Sequence, residues 1–135
     1  MVTFLTFIYI ALSLFLLPMP AYGQNWQPFV PSDKPSTQTL QYDQDSKRKI
    51  SDTITRVWVK AEAKEQAGKK GASPVARAYY LIETNCQERT YRVLSTAEYA
   101  ADGRLLSSSN ESDAQWHHIV PESMVSYLHK AICQK

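Results

Sequence analysis

The sequence contains few glycines, and its positively charged residues barely outnumber its negatively charged ones. The four glycines form no phosphate-cradling loop, and no Gly-x-Ser-x-Gly segment marks a nucleophilic serine. The net charge of +2 is too small to indicate binding to nucleic acid or to a membrane surface. These absences argue against a nucleotide-dependent enzyme, a serine hydrolase and a nucleic-acid-binding protein.

The sequence has a single long apolar run, and this run is typical of an export signal. It extends from Val2 to Leu17, which is shorter than the roughly 20 residues that a membrane-spanning helix needs. Small residues, Ala21 and Gly23, follow it at the positions that a signal peptidase recognises. We expect cleavage after Gly23, which leaves residues 24–135 as one domain without a membrane span. An uncleaved membrane anchor is the alternative.

Two features of this segment depart from common export patterns. No Lys or Arg precedes the apolar run, so only the terminal amine supplies positive charge. No cysteine stands at the cleavage site, so nothing indicates a lipid anchor. We expect an exported protein that is either periplasmic or at the cell surface.

Only two cysteines are present, Cys86 and Cys133. An exported chain meets an oxidising compartment, where two thiols are most simply one disulfide. In the chain-entropy model, closing a loop of this length stabilises the fold by about 4 kcal/mol. Two unpaired, buried thiols are the alternative.

Period-two alternation of β-branched and aromatic residues predicts several β-strands. In Thr53–Ala61, Val57 and Val59 share one face while Trp58 and Lys60 share the other. Ala76–Cys86 continues the alternation, with Tyr80 and Ile82 on the face of Cys86 and with Tyr79 opposite. Thr90–Tyr99 places Tyr91, Val93, Ser95, Ala97 and Tyr99 together. Short polar joints between these segments favour an antiparallel meander.

The flanking segments are weaker signals. Three prolines in residues 24–36 indicate an extended arm or an edge strand, and residues 37–42 are compatible with a short strand. A turn at residues 101–103 predicts a hairpin with residues 104–107, and the serine-rich residues 107–114 predict a loop.

Only the C-terminal segment has helical character. Ser123 is a candidate N-cap, and five apolar residues recur at helical spacing: Met124, Val125, Leu128, Ala131 and Ile132. The face of the sheet that carries Tyr80, Ile82 and Cys86 is the expected platform. Cys133 lies well away from the centre of the apolar stripe, so we expect the helix to end or fray near Ile132. The predicted class is therefore α+β: an antiparallel sheet with a C-terminal helix on one face.

Several short segments together resemble the bacterial surface-adhesin protein E-like family. They are, in order, Val57-Trp58-Val59-Lys60, Glu83-Thr84-Asn85-Cys86 with Arg89 and Arg92, Tyr99 with Gly103, Trp116-His117-His118-Ile119-Val120-Pro121, and the closing Cys133. The resemblance covers about residues 26–133. It implies an antiparallel sheet whose C-terminal helix is tied to the concave face by a Cys86–Cys133 bridge.

The resemblance also implies a non-enzymatic surface protein without a cofactor, whose partners are extracellular matrix or plasma proteins. A soluble periplasmic accessory protein is the alternative; it would bind an envelope component or a small ligand such as haem. Both hypotheses place the protein in the cell envelope.

Candidate partner-binding residues fall into two groups. The first is a basic connection between two predicted strands that carries Lys64, Lys69 and Lys70, flanked by Lys60 and Arg77. It suits acidic partners or sulfated glycans, unless its lysines only keep the loop soluble and guard strand edges. The second is an exposed aromatic patch around Trp58 and Tyr79, which would vanish if an arm carrying Trp26 and Phe29 covered it.

The remaining polar residues are better explained by structure than by chemistry. His117 and His118 are adjacent on an extended segment and point to opposite faces, which disfavours one shared metal ion. Haem ligation by one of them with Tyr80 or Tyr91 is conceivable but has no further support. Arg89 and Arg92 lie near Glu83 and Glu88 in sequence, and we expect a charge ladder within the sheet. We predict no catalytic residues and no metal site.

Overall fold

The computed structural model describes residues 24–64 and 73–134. The predicted signal segment, residues 1–23, and the predicted binding residues Lys69 and Lys70 lie outside the described residues. No helix within the described ranges is long and apolar enough to cross a membrane.

The described residues form one antiparallel sheet and a C-terminal helix. The sheet order is β1-β2-β4-β5-β6-β7, with β3 also paired to β4 and β8 also paired to β6. Consecutive long strands are neighbours, which confirms the predicted meander. The elements are β1 Trp26–Pro28, β2 Gln38–Asp43, β3 Arg48–Lys49, β4 Ile54–Ala63, β5 Arg77–Asn85, β6 Thr90–Tyr99, β7 Leu105–Asn110, β8 His117–His118 and α1 Met124–Cys133.

The register of β4 and β5 confirms which of their residues were predicted to share a face. Val57 lies opposite Ile82 and Val59 lies opposite Tyr80, so the apolar residues of both strands share a face. Val57, Val59 and Ile82 are almost fully buried. Period-two alternation therefore identified the core-facing residues of the two central strands.

The prediction for β6 is wrong in its second half because of a β-bulge. Ile82 pairs with Val93, but its neighbour Leu81 pairs with Ser95, so Leu94 is the extra residue. The bulge reverses the alternation: Tyr91 and Val93 lie on the core face, whereas Ser95, Ala97 and Tyr99 lie on the opposite face. The local signal for it is the adjacent apolar pair Val93-Leu94, which breaks the alternation.

The edges of the sheet are made by the short segments. The proline-rich arm forms edge strand β1, which pairs with β2, as the prolines predicted. The predicted hairpin is present: Gly103 has φ +87° in the turn between β6 and β7, a conformation that glycine adopts without strain. Residues 107–110 belong to β7 rather than to the predicted loop, because they pair with β6.

Helix α1 begins as predicted, with the Ser123 hydroxyl accepting a hydrogen bond from the Ser126 backbone N–H at 3.3 Å. Leu128 and Ile132 pack with Phe29, Val57 and Ile82 in the core. The helix does not end before Cys133; it includes that residue. The buried face of the helix includes Val125, Leu128 and Ile132 of the predicted apolar set and also Ser126, whereas Met124, Ala131 and Cys133 are half-buried.

A disulfide joins Cys86, just after β5, to Cys133, the last residue of α1, with Cα atoms 5.5 Å apart. The bridge confirms the expected pairing and excludes the alternative of two free thiols. It fixes the C-terminal end of the helix to the end of β5. The helix thus covers one face of the sheet, and no helix formed by residues 24–64 or 73–134 covers the other.

Candidate binding surface

The face of the sheet turned away from α1, here called the open face, carries a concentration of aromatic side chains. Trp58 comes from β4, Tyr79 from β5, Tyr99 from the end of β6 and Trp26 from edge strand β1. Together with Gln24, Asp43 and Ala97 they line a depression of about 260 Å³. We call this depression the aromatic groove.

The rings of the groove contact one another across three strands. The Tyr79 ring centroid lies 5.9 Å from that of Tyr99 in an edge-to-face arrangement and 6.0 Å from that of Trp26. Separations of this size are the ones that aromatic pairs prefer. The bulge in β6 is a condition for this cluster, because unbroken alternation from Tyr91 would place Tyr99 on the helix side.

The N-terminal arm is held in place by Asp43, a buried carboxylate at the end of β2. Its Oδ1 accepts hydrogen bonds from the backbone N–H of Asn25 at 3.0 Å and of Asp45 at 3.1 Å. The arm divides its two aromatic residues between the faces: Trp26 packs on Tyr79, whereas Phe29 enters the core under the helix. The patch predicted at Trp58 and Tyr79 is therefore narrowed by Trp26 into a groove but not covered.

The groove continues into a wider depression of about 650 Å³ at the same end of the sheet. Its polar lining is a surface ion pair in which Arg77 Nε lies 2.7 Å from Glu62 Oε1. The Lys60 ammonium lies 4.8 Å from the centroid of the Trp26 ring and 3.7 Å from Glu62. Of the predicted basic cluster, Lys60 and Arg77 are thus engaged with neighbours, whereas Lys64 is exposed.

At the other end of the open face, Glu83 binds two arginines. Its side chain is 1% exposed; Oε1 accepts from Arg56 Nε at 3.0 Å and from Nη2 at 2.6 Å, and Oε2 accepts from Arg92 Nε at 2.8 Å. Burial by itself raises the pKa of this carboxyl, but hydrogen bonds from Arg56 and Arg92 outweigh it, so the pKa is lowered overall. Glu83 is therefore ionised at neutral pH.

The predicted charge ladder is correct for Arg92 and Glu83 but wrong for the other pair. Arg89 lies in the turn before β6 with φ 55°, and within the described residues neither it nor Glu88 forms an ion pair. Both side chains are exposed because the turn carries them off the end of the sheet. Arg56, on the strand opposite, takes the place predicted for Arg89.

The adjacent histidines form β8 at the margin of the sheet. Both are exposed, and they pair with Tyr91 and Thr90 of β6. The His117 ring lies 5.8 Å from that of Tyr91. In residues 24–64 and 73–134 no group of three or more His, Cys, Asp or Glu side chains is placed to hold a metal ion.

The third histidine, His129, is half-buried on α1, and its Nε2 has no hydrogen-bond partner in the described part of the chain. Burial lowers its pKa, and the positive charge of Arg89 lowers it further, against the raising effect of a hydrogen bond to the Cys86 backbone. This neutral imidazole thus lies beside the disulfide.

Comparisons with known proteins agree with this architecture. The family model described as surface-adhesin protein E matches residues 26–134. A structure of Haemophilus influenzae protein E in its second crystal form has a TM-score of 0.53 with this chain at 13% identity; the alignment covers 87% of this chain and 94% of the other. Another structure of Haemophilus influenzae protein E gives a TM-score of 0.47 at 14% identity, covering 81% and 93%. No curated protein matches the chain.

At these identities the structural likeness shows a shared fold, and the assignment to a family depends on the model that spans nearly the whole described domain. The sheet, the C-terminal helix and the bridge between Cys86 and Cys133 are the features expected from the sequence resemblance. The chain belongs to the surface-adhesin protein E family and is an adhesin-like surface protein.

Proposed function

We propose that this chain is an exported, non-enzymatic adhesin of the cell envelope whose open face binds extracellular matrix or plasma proteins. The observation that supports this most is the aromatic groove, which four aromatic side chains line on the face of the sheet opposite α1. Trp58 and Tyr79, the aromatic residues predicted to bind a partner, both line it.

The composition of the groove suits a protein partner. Aromatic side chains contribute large contact areas at a small cost in conformational entropy, and they dominate the binding energy of many interfaces. The ion pair between Arg77 and Glu62 borders the rings, so an apolar centre is flanked by charged groups. An apolar centre within a polar rim is the usual anatomy of a protein interface.

Protease shaving of intact cells tests the location. An antibody against residues 24–135 follows the domain in intact and in lysed cells. Loss of the signal from intact cells is the expected result, because an adhesin must be outside the outer permeability barrier. Protection until lysis would contradict the adhesin and favour a soluble periplasmic protein that binds an envelope component or a small ligand such as haem.

Substitution in the groove tests the binding surface. The purified domain is titrated against immobilised matrix and plasma proteins, and a bound partner is then tested with the double variant Trp58→Ala, Tyr79→Ala. We expect the affinity to fall about tenfold or more, because interface aromatics commonly contribute 2 kcal/mol or more, by the usual scale of about 1.4 kcal/mol per tenfold. Val120→Ala, an exposed apolar residue outside the groove, is the matched control.

Two results of this experiment would contradict the proposal. If the double variant binds as tightly as the wild type while its melting temperature is unchanged, the groove is not the binding surface. An equal loss in Val120→Ala would indicate nonspecific apolar adsorption.

The predicted basic connection remains a separate prediction. If Lys64, Lys69 and Lys70 bind an acidic partner surface, changing all three to Glu should weaken binding and reduce its dependence on salt. Unchanged affinity with an unchanged salt dependence would show that these lysines only solubilise the loop.

A further inference from the structure

A row of charged side chains crosses the open face beside the aromatic groove and begins two residues from Trp58 on β4. Arg48 of β3 lies opposite Arg56 of β4, Arg56 lies opposite Glu83 of β5, and Glu83 lies opposite Arg92 of β6. We call these four residues the arginine row. Like charges directly opposite on neighbouring strands destabilise a sheet. The pairing of Arg48 with Arg56 is therefore not explained by sheet formation.

The row has an excess of positive charge that its own carboxylate does not neutralise. Glu83 is ionised and accepts from both Arg56 and Arg92, but one negative charge offsets only one of the two guanidinium groups. Arg48 donates to the backbone carbonyls of Asp45 and Lys47 and so keeps its own charge uncompensated. Within the described residues, the row therefore carries a net charge of about +2 on one line of the sheet.

The two central guanidinium groups are held in place yet remain accessible. The buried carboxylate holds both by hydrogen bonds, while the Arg56 side chain is 39% exposed and that of Arg92 is 23% exposed. Arg56 Nη1 makes no hydrogen bond to another described residue. A guanidinium has five N–H donors and binds carboxylate or sulfate through pairs of them, so donors remain for an external anion.

An exposed indole borders these donors. The Arg92 guanidinium carbon lies 4.7 Å from the centroid of the Trp116 ring, and Trp116 remains 37% exposed. The site thus combines fixed anion-binding groups with an accessible apolar ring surface. This combination matches a sugar that bears an acidic group, since such a ring offers both an anion and an apolar C–H face.

We propose that the arginine row and Trp116 bind an acidic glycan, with a sulfate or carboxylate group on Arg56 and Arg92 and a sugar ring packed on Trp116. An acidic peptide would satisfy the arginines but has no saturated ring for the indole. A nucleic acid needs a larger basic surface than the net charge of +2 indicates. The site is separate from the aromatic groove and does not depend on the function proposed for it.

Calorimetric titration of the oxidised domain with three oligosaccharides of equal length tests the proposal. The probes are a sulfated heparin fragment, a hyaluronan fragment that carries carboxylates only, and an uncharged dextran fragment. We expect one or both charged probes to bind saturably, with an affinity that falls as salt rises, and we expect no binding of dextran. The ranking of the charged probes tells sulfate from carboxylate recognition.

Two variants and one matched control locate the site. Arg56→Gln should weaken binding about tenfold or more, since it removes charge-assisted hydrogen bonds to the anion, while Arg92 still neutralises Glu83. Trp116→Ala should weaken binding severalfold. Arg104→Gln removes an exposed arginine in the turn between β6 and β7, outside the arginine row, the aromatic groove and the basic connection, and should change the affinity less than twofold.

Several results would overturn the proposal. They are no saturable binding of either charged probe, full binding by folded Arg56→Gln, or an equal loss in Arg104→Gln, which would indicate nonspecific charge attraction. Equal binding of a polyglutamate peptide would exclude the sugar. The variant Trp58→Ala, Tyr79→Ala should keep its glycan binding, so failure of the groove proposal and failure of this one are distinguishable.

Discussion

Removing the bridge between Cys86 and Cys133 should destabilise the domain more than any single surface substitution. The two cysteines are 47 residues apart in sequence. In the chain-entropy model, a loop of this length restricts the unfolded chain by about 4 kcal/mol at 25 °C. For a domain of about 100 residues, 1 kcal/mol shifts the melting temperature by about 4–8 °C, so the double variant Cys86→Ala, Cys133→Ala should melt roughly 15 °C or more below the wild type.

Chemical denaturation measures this difference directly. The free energy of unfolding is extrapolated from urea titrations of the oxidised wild type, the reduced wild type and the double alanine variant. We expect the last two to agree with each other and to lie about 4 kcal/mol below the first. A loss under about 1 kcal/mol would refute the reasoning, because the bridge would then not restrict the unfolded ensemble as the loop length requires.

Two further predictions concern buried titratable groups. Glu83→Gln should lower the free energy of unfolding by about 1–3 kcal/mol because it weakens the charge-assisted hydrogen bonds to two partly exposed guanidinium groups, whereas Glu62→Gln, in a surface pair, should cost under about 1 kcal/mol in the same urea titration. His129 has a folded-state pKa below the unfolded value of about 6.5, so the unfolded chain binds the proton more readily and stability should fall as pH drops from 7.5 through 6.5. In urea titrations at each pH, His129→Gln should flatten this dependence. A profile that keeps its slope in His129→Gln would assign the titration to another group.

Local sequence predicted those parts of the fold that depend on local physics. Alternation in β4 and β5 identified the buried Val57 and Ile82, because a strand between a helix and an open face must alternate. The start of α1 followed from its N-cap, since Ser123 satisfies a helix N–H through its own side chain. The disulfide followed from the export signal and from having two cysteines to pair.

The remaining parts depend on contacts that alternation does not encode. The bulge at Leu94 is a mismatch between two strands, so the apolar pair Val93-Leu94 interrupts the alternation locally, but the bulge is defined only when β5 and β6 are paired. Trp26 reaches the groove because Asp43 binds the arm, which is a contact between distant residues. Nearness in sequence identified Arg92 as a partner of Glu83 but not Arg56, which strand pairing brings to Glu83 from 27 residues away.

Each long strand of the sheet has two sets of positions, which differ in how well they tolerate substitution. Residues of β4 and β5 that face α1 are buried and must fill a fixed volume, whereas their neighbours on the open face meet solvent or one another. Sequence drift, or deliberate randomisation, can therefore alter every second position of these strands with little effect on the core. Glu83 is the exception, because its burial and its two arginines couple it to the stability of the sheet. The fold is in this sense a scaffold whose binding specificity can change while its architecture is retained.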